Sequence, residues 1–281
     1  MRGMEDDGLI LLEDVDSTQN EVRRRLAAGV PSPVWVMARR QTAGRGRKGR
    51  QWISHTGNLH LSVGLELAIP AAWLPQISFV AALAAHKAVS AVAQRHGQPA
   101  LQSLLALKWP NDLLLAGRKL GGVLLESEPS GPAGMEREVS GSMIAKGAPE
   151  HRETGPQAHR LIVGWGINLA NAPPDSAVRW PAVCLLEAGL EVSPRDVALR
   201  LRDYFARWLT RWQADGFAPV RAAWERRAWG LGLVVTVQAG PDVHRGRLVG
   251  LAHDGALVLE DDRGEPHAIH AGEILHADSD A

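Results

Sequence analysis

Apolar positions along this chain repeat with two different periods, and the alternation between them outlines the fold. Residues 77–95 carry apolar side chains at helical spacing in an alanine-rich run that Gly97 stops, which predicts a buried helix. Residues 34–38 (VWVMA) and 59–67 (LHLSVGLEL) read as strands flanking a polar, basic loop. At the start, 8–13 reads as a short strand. Asp16, Ser17 and Thr18 then offer capping chemistry for a helix that ends at Gly29. Residues 106–109 and 113–116 read as strands bent at Pro110-Asn111-Asp112, with a hairpin through 116–118 into a strand over 120–126. A strand over 161–163 continues into the glycine-interrupted 164–169. Between these, 127–159 is rich in Gly, Pro, Ser and charge and reads as an exposed excursion between paired strands. Residues 194–229 follow a helical period, with Trp208, Trp212 and Trp224 on or near its buried face. After Gly230 and Gly232, short alternating strands separated by glycines predict a small antiparallel barrel. No internal repeat is visible.

A chain of 281 residues suits one large domain with a small appendage, divided at 1–230 and 231–281. Hydrophobic residues make up 45% of it, and ten Trp against three Phe and one Tyr place most large aromatic contacts on indole rings. The formal net charge is zero, which argues against a surface built for nucleic acid or an acidic membrane. The one cysteine, Cys184, lies in an apolar context and reads as buried filler; it excludes an internal disulfide or a cysteine-rich metal site. There is no apolar N-terminal signal core and no long membrane-spanning run, so a cytoplasmic protein is expected.

Positive charge is instead concentrated locally. Residues 41–52, QTAGRGRKGRQW, place Arg45, Arg47, Lys48 and Arg50 among Gly44, Gly46 and Gly49. Glycines let the backbone bring N–H groups close to a ligand, and guanidinium forks match carboxylate or phosphate. Alone, such a run also fits a solvated loop or a nucleic-acid patch. Further on, 108–126 reads KWPNDLLLAGRKLGGVLLE and 163–170 reads VGWGINLA, while 16–22 reads DSTQNEV. Lys119 follows a turn and precedes Gly121 and Gly122, so its ammonium can stand where backbone approaches a ligand.

These four blocks, in this order, resemble the biotin–protein ligase family from about Leu9 to the C-terminus. The resemblance implies an α+β, mixed-sheet catalytic domain of the biotin/lipoate ligase type with a C-terminal SH3-like β-barrel. It also implies ATP-dependent formation of biotinoyl-5′-AMP, followed by transfer of biotin to a lysine of a carrier domain.

A ureido ring needs short hydroxyls and an amide, and Ser17, Thr18 and Gln41 coincide with the family's ureido-binding positions, as does the backbone of Arg45. By themselves these residues read as a helix cap and a polar strand end. Gly44, Gly46, Arg47, Lys119 and Gly122 complete the biotin side. Lys119 and Arg47 are the implied electrostatic catalysts, reducing repulsion between two anions. On the nucleotide side stand Arg45, Arg47, Arg50, Lys108, Asn111, Asp112, Lys119, Asn168 and Trp180, with Asp112 as a candidate magnesium ligand. Trp52 reads as a wall or packing residue. Trp165 departs from the small or aliphatic residue usual between those glycines.

The implied cofactor is Mg²⁺ with ATP, and the implied partner is the biotin carboxyl carrier protein of acetyl-CoA carboxylase or a related carboxylase. Only about fifteen residues precede Asp16, too few for a recognition helix and its support, so a ligase without DNA binding is expected. Membrane association is not expected; the oligomeric state is open, a homodimer included. Lipoate or octanoate ligases of the same fold are the alternative reading, and a nucleic-acid-binding module a more distant one.

Overall fold

The computed structural model describes residues 8–130 and 157–278, and within them the strand–cap–helix opening sits at one edge of a large sheet. Strand β1 (Leu9–Val15) pairs in parallel with β2 (Val34–Gln41), and α1 (Thr18–Ala27) connects them. Strand β3 (Leu59–Ile69) follows, then α2 (Gln76–Arg95) and a single turn, α3 (Leu101–Leu104). Strands β4 (Leu105–Lys108), β5 (Asp112–Leu115), β6 (Arg118–Pro129) and β7 (Gln157–Ile167) complete a seven-stranded mixed sheet in the order β1-β2-β3-β7-β6-β5-β4. The β5–β6 turn has positive φ at both Ala116 and Gly117, the twist a two-residue hairpin requires.

The two faces of this sheet differ because strand residues alternate. On one face Leu59, Leu61 and Val63 of β3 and Trp165 of β7 enter the main core, packed against α2 and α4 (Pro194–Asp215). Each fully buried Leu or Val there contributes roughly 1.5–3 kcal/mol relative to exposure. Helix α2 is long and apolar enough to cross a membrane by composition, but its apolar surface is spent inside this core. On the other face glycines replace bulk. A Cβ on Gly64 would lie 2.5 Å from Val22 Cγ1, one on Gly164 2.9 Å from Gln19 Cδ, and one on Gly166 2.4 Å from Trp52 Cε2. This bare face lets α1 and the basic loop lie directly on the sheet.

Three expectations change. The helical stretch 194–229 is two helices, because Gly216 (φ 73°) ends α4 before α5 (Ala218–Glu225) begins. Trp229 lies beyond both, and its N–H donates to Leu107 O. The excursion is narrower than 127–159, since β6 runs to Pro129 and pairs with β7 from Gln157, Pro129 lying opposite His159; the remainder falls outside the described residues. The C-terminal strands β8 (Val234–Ala239), β9 (Asp242–Leu251), β10 (Leu257–Glu260), β11 (Pro266–Ile269) and β12 (Glu273–Ala277) form a five-stranded antiparallel sheet in the order β11-β10-β9-β8-β12. Its edges β11 and β12 share no ladder among the described residues, so the expected barrel is not closed by hydrogen bonds.

The second sheet docks against the first domain through named contacts. Trp109 Nε1 donates to Gly255 O at 3.3 Å and buried Lys108 donates to Ile274 O at 3.3 Å.

Candidate active site

A cleft of about 440 Å³ opens over the glycine-bearing face. It lies between the start of α1, the 42–57 loop, β5 and β6, and the 171–182 segment, and Gly272 and Glu273 of the second sheet close one side.

Its floor is made of short polar side chains. The Thr18 N–H donates to Gln41 Oε1 at 2.8 Å, Thr18 Oγ1 lies 2.8 Å from Ser62 Oγ, and Gln41 Nε2 donates to Ser54 Oγ at 3.1 Å. The side chain of Gln41 is thereby fixed with its carbonyl toward the helix start. Trp52 forms a wall, its ring packed close against the bare Cα of Gly166. Trp165, between the two glycines, points to the opposite face. There it stacks on Trp35 with centroids 5.9 Å apart and donates to Ala81 O at 3.1 Å.

The cations converge on one buried carboxylate. Asp112 Oδ1 lies 2.5 Å from Lys119 Nζ, and Oδ2 lies 3.0 Å from Lys108 Nζ. Burial alone would oppose ionisation, but Lys119 and Lys108 outweigh it and hold Asp112 below the usual carboxylate range. Arg47 enters the cleft with Nη1 donating to Gly272 O at 3.3 Å and reaching Asn111 Oδ1 at 3.5 Å. Burial lowers the Arg47 pKa, and the charges of Asp112 and Glu273 oppose that; guanidinium stays protonated throughout. Arg50 pairs with Glu273, Nη1 to Oε1 at 3.0 Å, and this partner holds Glu273 below its ordinary value against partial burial. Arg45 stands at the rim, between Asn20 Oδ1 at 2.9 Å and Glu126 Oε1 at 3.3 Å.

At the far end, Asn168 is buried and donates to Val183 O at 3.3 Å. Trp180 donates to Gly117 O at 2.8 Å, meets Trp229 edge to face at 5.0 Å, and lies 4.3 Å from Lys108 Nζ. The 171–182 segment is tied to β6 through Lys119, whose N–H donates to Pro181 O and whose carbonyl accepts from Val183 N.

The fold thus brings Thr18, Gln41, Arg45, Gly46, Arg47, Arg50, Asn111, Asp112, Lys119, Gly122, Asn168 and Trp180 to one cleft. Ser17, Gly44 and Lys108 do not line it. Ser17 is buried at the N-cap of α1. Gly44 closes the loop, its carbonyl accepting from Trp52 N while a Cβ there would lie 2.7 Å from Trp52 O. Lys108 acts behind Asp112. Sequence reasoning missed Ser62, Gln19 and Glu273. The alternation of β3 and the helical spacing of α1 carried a signal for the first two; nothing local marks the third.

An apolar wall, a hydroxyl–amide floor and a cluster of fixed cations suit a ligand with a neutral polar ring, an apolar arm and an anionic end that meets phosphate. Residues 11–136 match the biotin/lipoate A/B protein ligase family, and 231–276 match the biotin protein ligase C terminal domain. The biotin–[acetyl-CoA-carboxylase] ligase of Paracoccus denitrificans is 38% identical over 94% of this chain and 99% of its own length. The bifunctional ligase/repressor BirA of Escherichia coli is 29% identical over 90% of this chain and 69% of its own. The biotin protein ligase of Aquifex aeolicus, solved in complex with biotin and ATP, superposes with a TM-score of 0.71 at 28% identity, covering 95% of this chain and 97% of that one. On this similarity, together with the ordered blocks that build the cleft, the chain belongs to the biotin protein ligase family.

Proposed function

We propose that this protein activates biotin with ATP as biotinoyl-5′-AMP, releasing pyrophosphate, and transfers the biotinoyl group to a lysine of a carboxylase carrier domain, releasing AMP. The observation that carries the reading is that Lys119 and Arg47 line the same cleft as the hydrogen-bonded Thr18–Gln41–Ser62 floor, so one ligand can meet a hydroxyl–amide end and a cationic end. In this reading Thr18 and Gln41 hold the ureido ring, aided by the backbone near Arg45 and Gly46, and Gly122 leaves room for the arm. Ser17 and Gly44 shape this end from behind.

A biotin carboxylate oxygen attacks the α-phosphorus and the bond to pyrophosphate breaks. Both reactants are anionic, so Lys119 and Arg47 lower the repulsion and stabilise charge growing on the phosphate. Asp112 aims the two ammonium groups and Arg50 supplies distant charge. Asn111, Asn168 and Trp180 form the nucleotide end. In the second step a neutral lysine amine attacks the acyl carbon, AMP leaves with the bonding pair, and the nitrogen loses one proton to solvent as the amide forms. The enzyme requires no covalent nucleophile, and Cys184, buried with its pKa raised by burial, stays out of the reaction.

Magnesium as a direct ligand of Asp112 does not fit, because each carboxylate oxygen already faces an ammonium group. A magnesium ion carried on nucleotide phosphates and water suits the site better, and no step here is routed through it. The catalytic domain is assigned to 1–230 and the C-terminal domain to 231–276 and its tail, with Gly272 and Glu273 supplied to the cleft by the latter. Location in the cytoplasm, action without DNA or membrane, and the acetyl-CoA carboxylase carrier as acceptor belong to the same proposal.

The test is ATP–pyrophosphate exchange by the purified protein with Mg²⁺, comparing biotin, lipoate, octanoate and no acid. Exchange dependent on biotin is expected. Exchange with lipoate or octanoate alone would reassign the substrate, and the absence of exchange with every acid would refute the adenylation reading.

A further inference from the structure

One side chain outside the cleft lining satisfies four backbone groups of the segment that leads into its nucleotide end. Asn58, 2% exposed, sits at the entry to β3 and projects onto residues 168–171. Its Oδ1 accepts three successive backbone N–H groups, those of Leu169, Ala170 and Asn171, each at 3.0 Å. Its Nδ2 donates to Asn171 O at 2.8 Å and reaches Asn168 Oδ1 at 3.5 Å. The preceding residues join in: Thr56 O accepts from Asn171 Nδ2 at 3.1 Å, and Gly57 (φ 92°) leaves no room for a side chain, since a Cβ there would lie 2.9 Å from Ala170 Cβ.

Three consecutive N–H groups aimed at one point make a concavity that attracts a negative partial charge, and here an internal amide oxygen fills it. The amide orientation then follows. With Oδ1 in the concavity, Nδ2 must face Asn168, and Asn168 in turn presents its carbonyl oxygen to Asn58 while its own Nδ2 donates to Val183 O. Asn58 therefore sets both the path of the chain toward Pro173 and Trp180 and the flip state of the buried Asn168, all of which line the cleft.

We infer that Asn58 is a positioning residue for nucleotide binding, acting through Asn168 and the 171–180 segment. The inference rests on the reading that this end of the cleft takes the nucleotide. Asn58 touches no reactant; it lies 111 positions from Leu169 in sequence and meets it only through β3 and β7.

Two variants separate its functions. Asn58→Asp keeps an acceptor for the three N–H groups and loses the donor to Asn168 and Asn171. Asn58→Ala loses both. Affinities of the full chain for ATP and for biotin are measured separately by titration calorimetry, alongside thermal midpoints. Asn58→Ala is expected to weaken ATP binding on the order of tenfold or more while biotin affinity stays within about twofold, with Asn58→Asp between it and wild type. Combining Asn58→Ala with Asn168→Ser should cost less than the sum of the two single changes, because one acts through the other. Equal weakening of both ligands, or unchanged ATP affinity in a folded Asn58→Ala, would overturn the inference. If Asn58→Ala does not fold, the Asn58→Asp split between ATP and biotin decides alone. A wild-type chain lacking biotin-dependent exchange would fail the function proposed above, and its ATP affinities would still decide this point.

Discussion

Asp112 holds Lys119 by a 2.5 Å contact between Oδ1 and Nζ, while its other oxygen holds the buried Lys108. One carboxylate thus fixes a partly exposed ammonium at the cleft and a fully buried one behind it. Removing the charge leaves Lys108 buried without its counter-charge, a loss of roughly 3–5 kcal/mol by comparison with other broken buried pairs. We expect Asp112→Asn to lower the thermal midpoint markedly and to reduce the adenylation rate by about a hundredfold. Because its pKa is depressed in the fold, the Asp112 contribution is fully present above the ordinary carboxylate pKa and is lost as pH falls through the lower folded value. A stable Asp112→Asn with full exchange activity would refute this role.

Arg50 and Glu273 join the basic loop to the second sheet across the mouth of the cleft. The pair is partly exposed, so its direct effect on stability is below about 1 kcal/mol. Its effect on function lies in holding the loop. Glu273→Arg should raise the KM for ATP several-fold with little change in thermal midpoint, and Arg50→Glu combined with Glu273→Arg should restore part of it. Failure of the double variant to recover would show that the ion pair is not the operative contact.

Arg47 and its neighbours line the cleft, and in the proposed reaction we assign them the role of a lid that excludes water from a hydrolysable mixed anhydride. Arg47→Gly should release biotinoyl-5′-AMP faster and label lysines on unrelated proteins. Adenylate retention equal to that of the parent protein would remove the lid role from this loop.

Gly166 permits the wall of the cleft. A methyl group there would clash with Trp52 Cε2, so the indole, which lines the cleft, must shift and change the shape of the proposed biotin site. Gly166→Ala is expected to raise the KM for biotin tenfold or more with a smaller effect on ATP. Combining it with Trp52→Ala should recover folding stability; no recovery would mean that the two do not compete for space.

His60 and His86 are both buried and neutral, each with a pKa lowered to about 4. Desolvation is the main cause; for His60 the hydrogen bond to the His55 carbonyl opposes it, and for His86 the charge of Arg227 adds to it. The unfolded chain takes up these protons near pH 6.5 while the folded chain does not, so their stabilisation is full above that value and falls as pH drops toward 4. Urea midpoints should decline between pH 7 and pH 5, a loss on the order of a few kcal/mol. A His60→Asn, His86→Asn variant should show a flatter profile; an unaltered slope would place the effect elsewhere.

The sequence by itself determined the strands, the long helices and the chemistry carried in contiguous blocks. Period-two alternation, capping residues and glycine turns act over a few positions, so 41–52 and 108–126 can be read without the rest of the chain. The floor at Thr18 and Gln41 and the cations Arg47 and Lys119 were therefore legible as candidates, and family resemblance supplied their grouping. Position 216 was missed as a helix stop because one glycine inside a strong helical period carries little weight until the chain must turn.

Only the tertiary structure decided which residues share a surface. Arg50 and Glu273 stand 223 positions apart and meet because the second sheet docks at the cleft. Trp165 faces the core and not the ligand because β7 alternates, with Gly164 and Gly166 on the other side. Asp112, which reads as a metal ligand in isolation, is occupied by two lysines that β4 and β6 bring to either oxygen. Asn58 gains its partners only when β3 lies beside β7. Burial and charge neutralisation depend on distances between segments, and no local pattern encodes those distances.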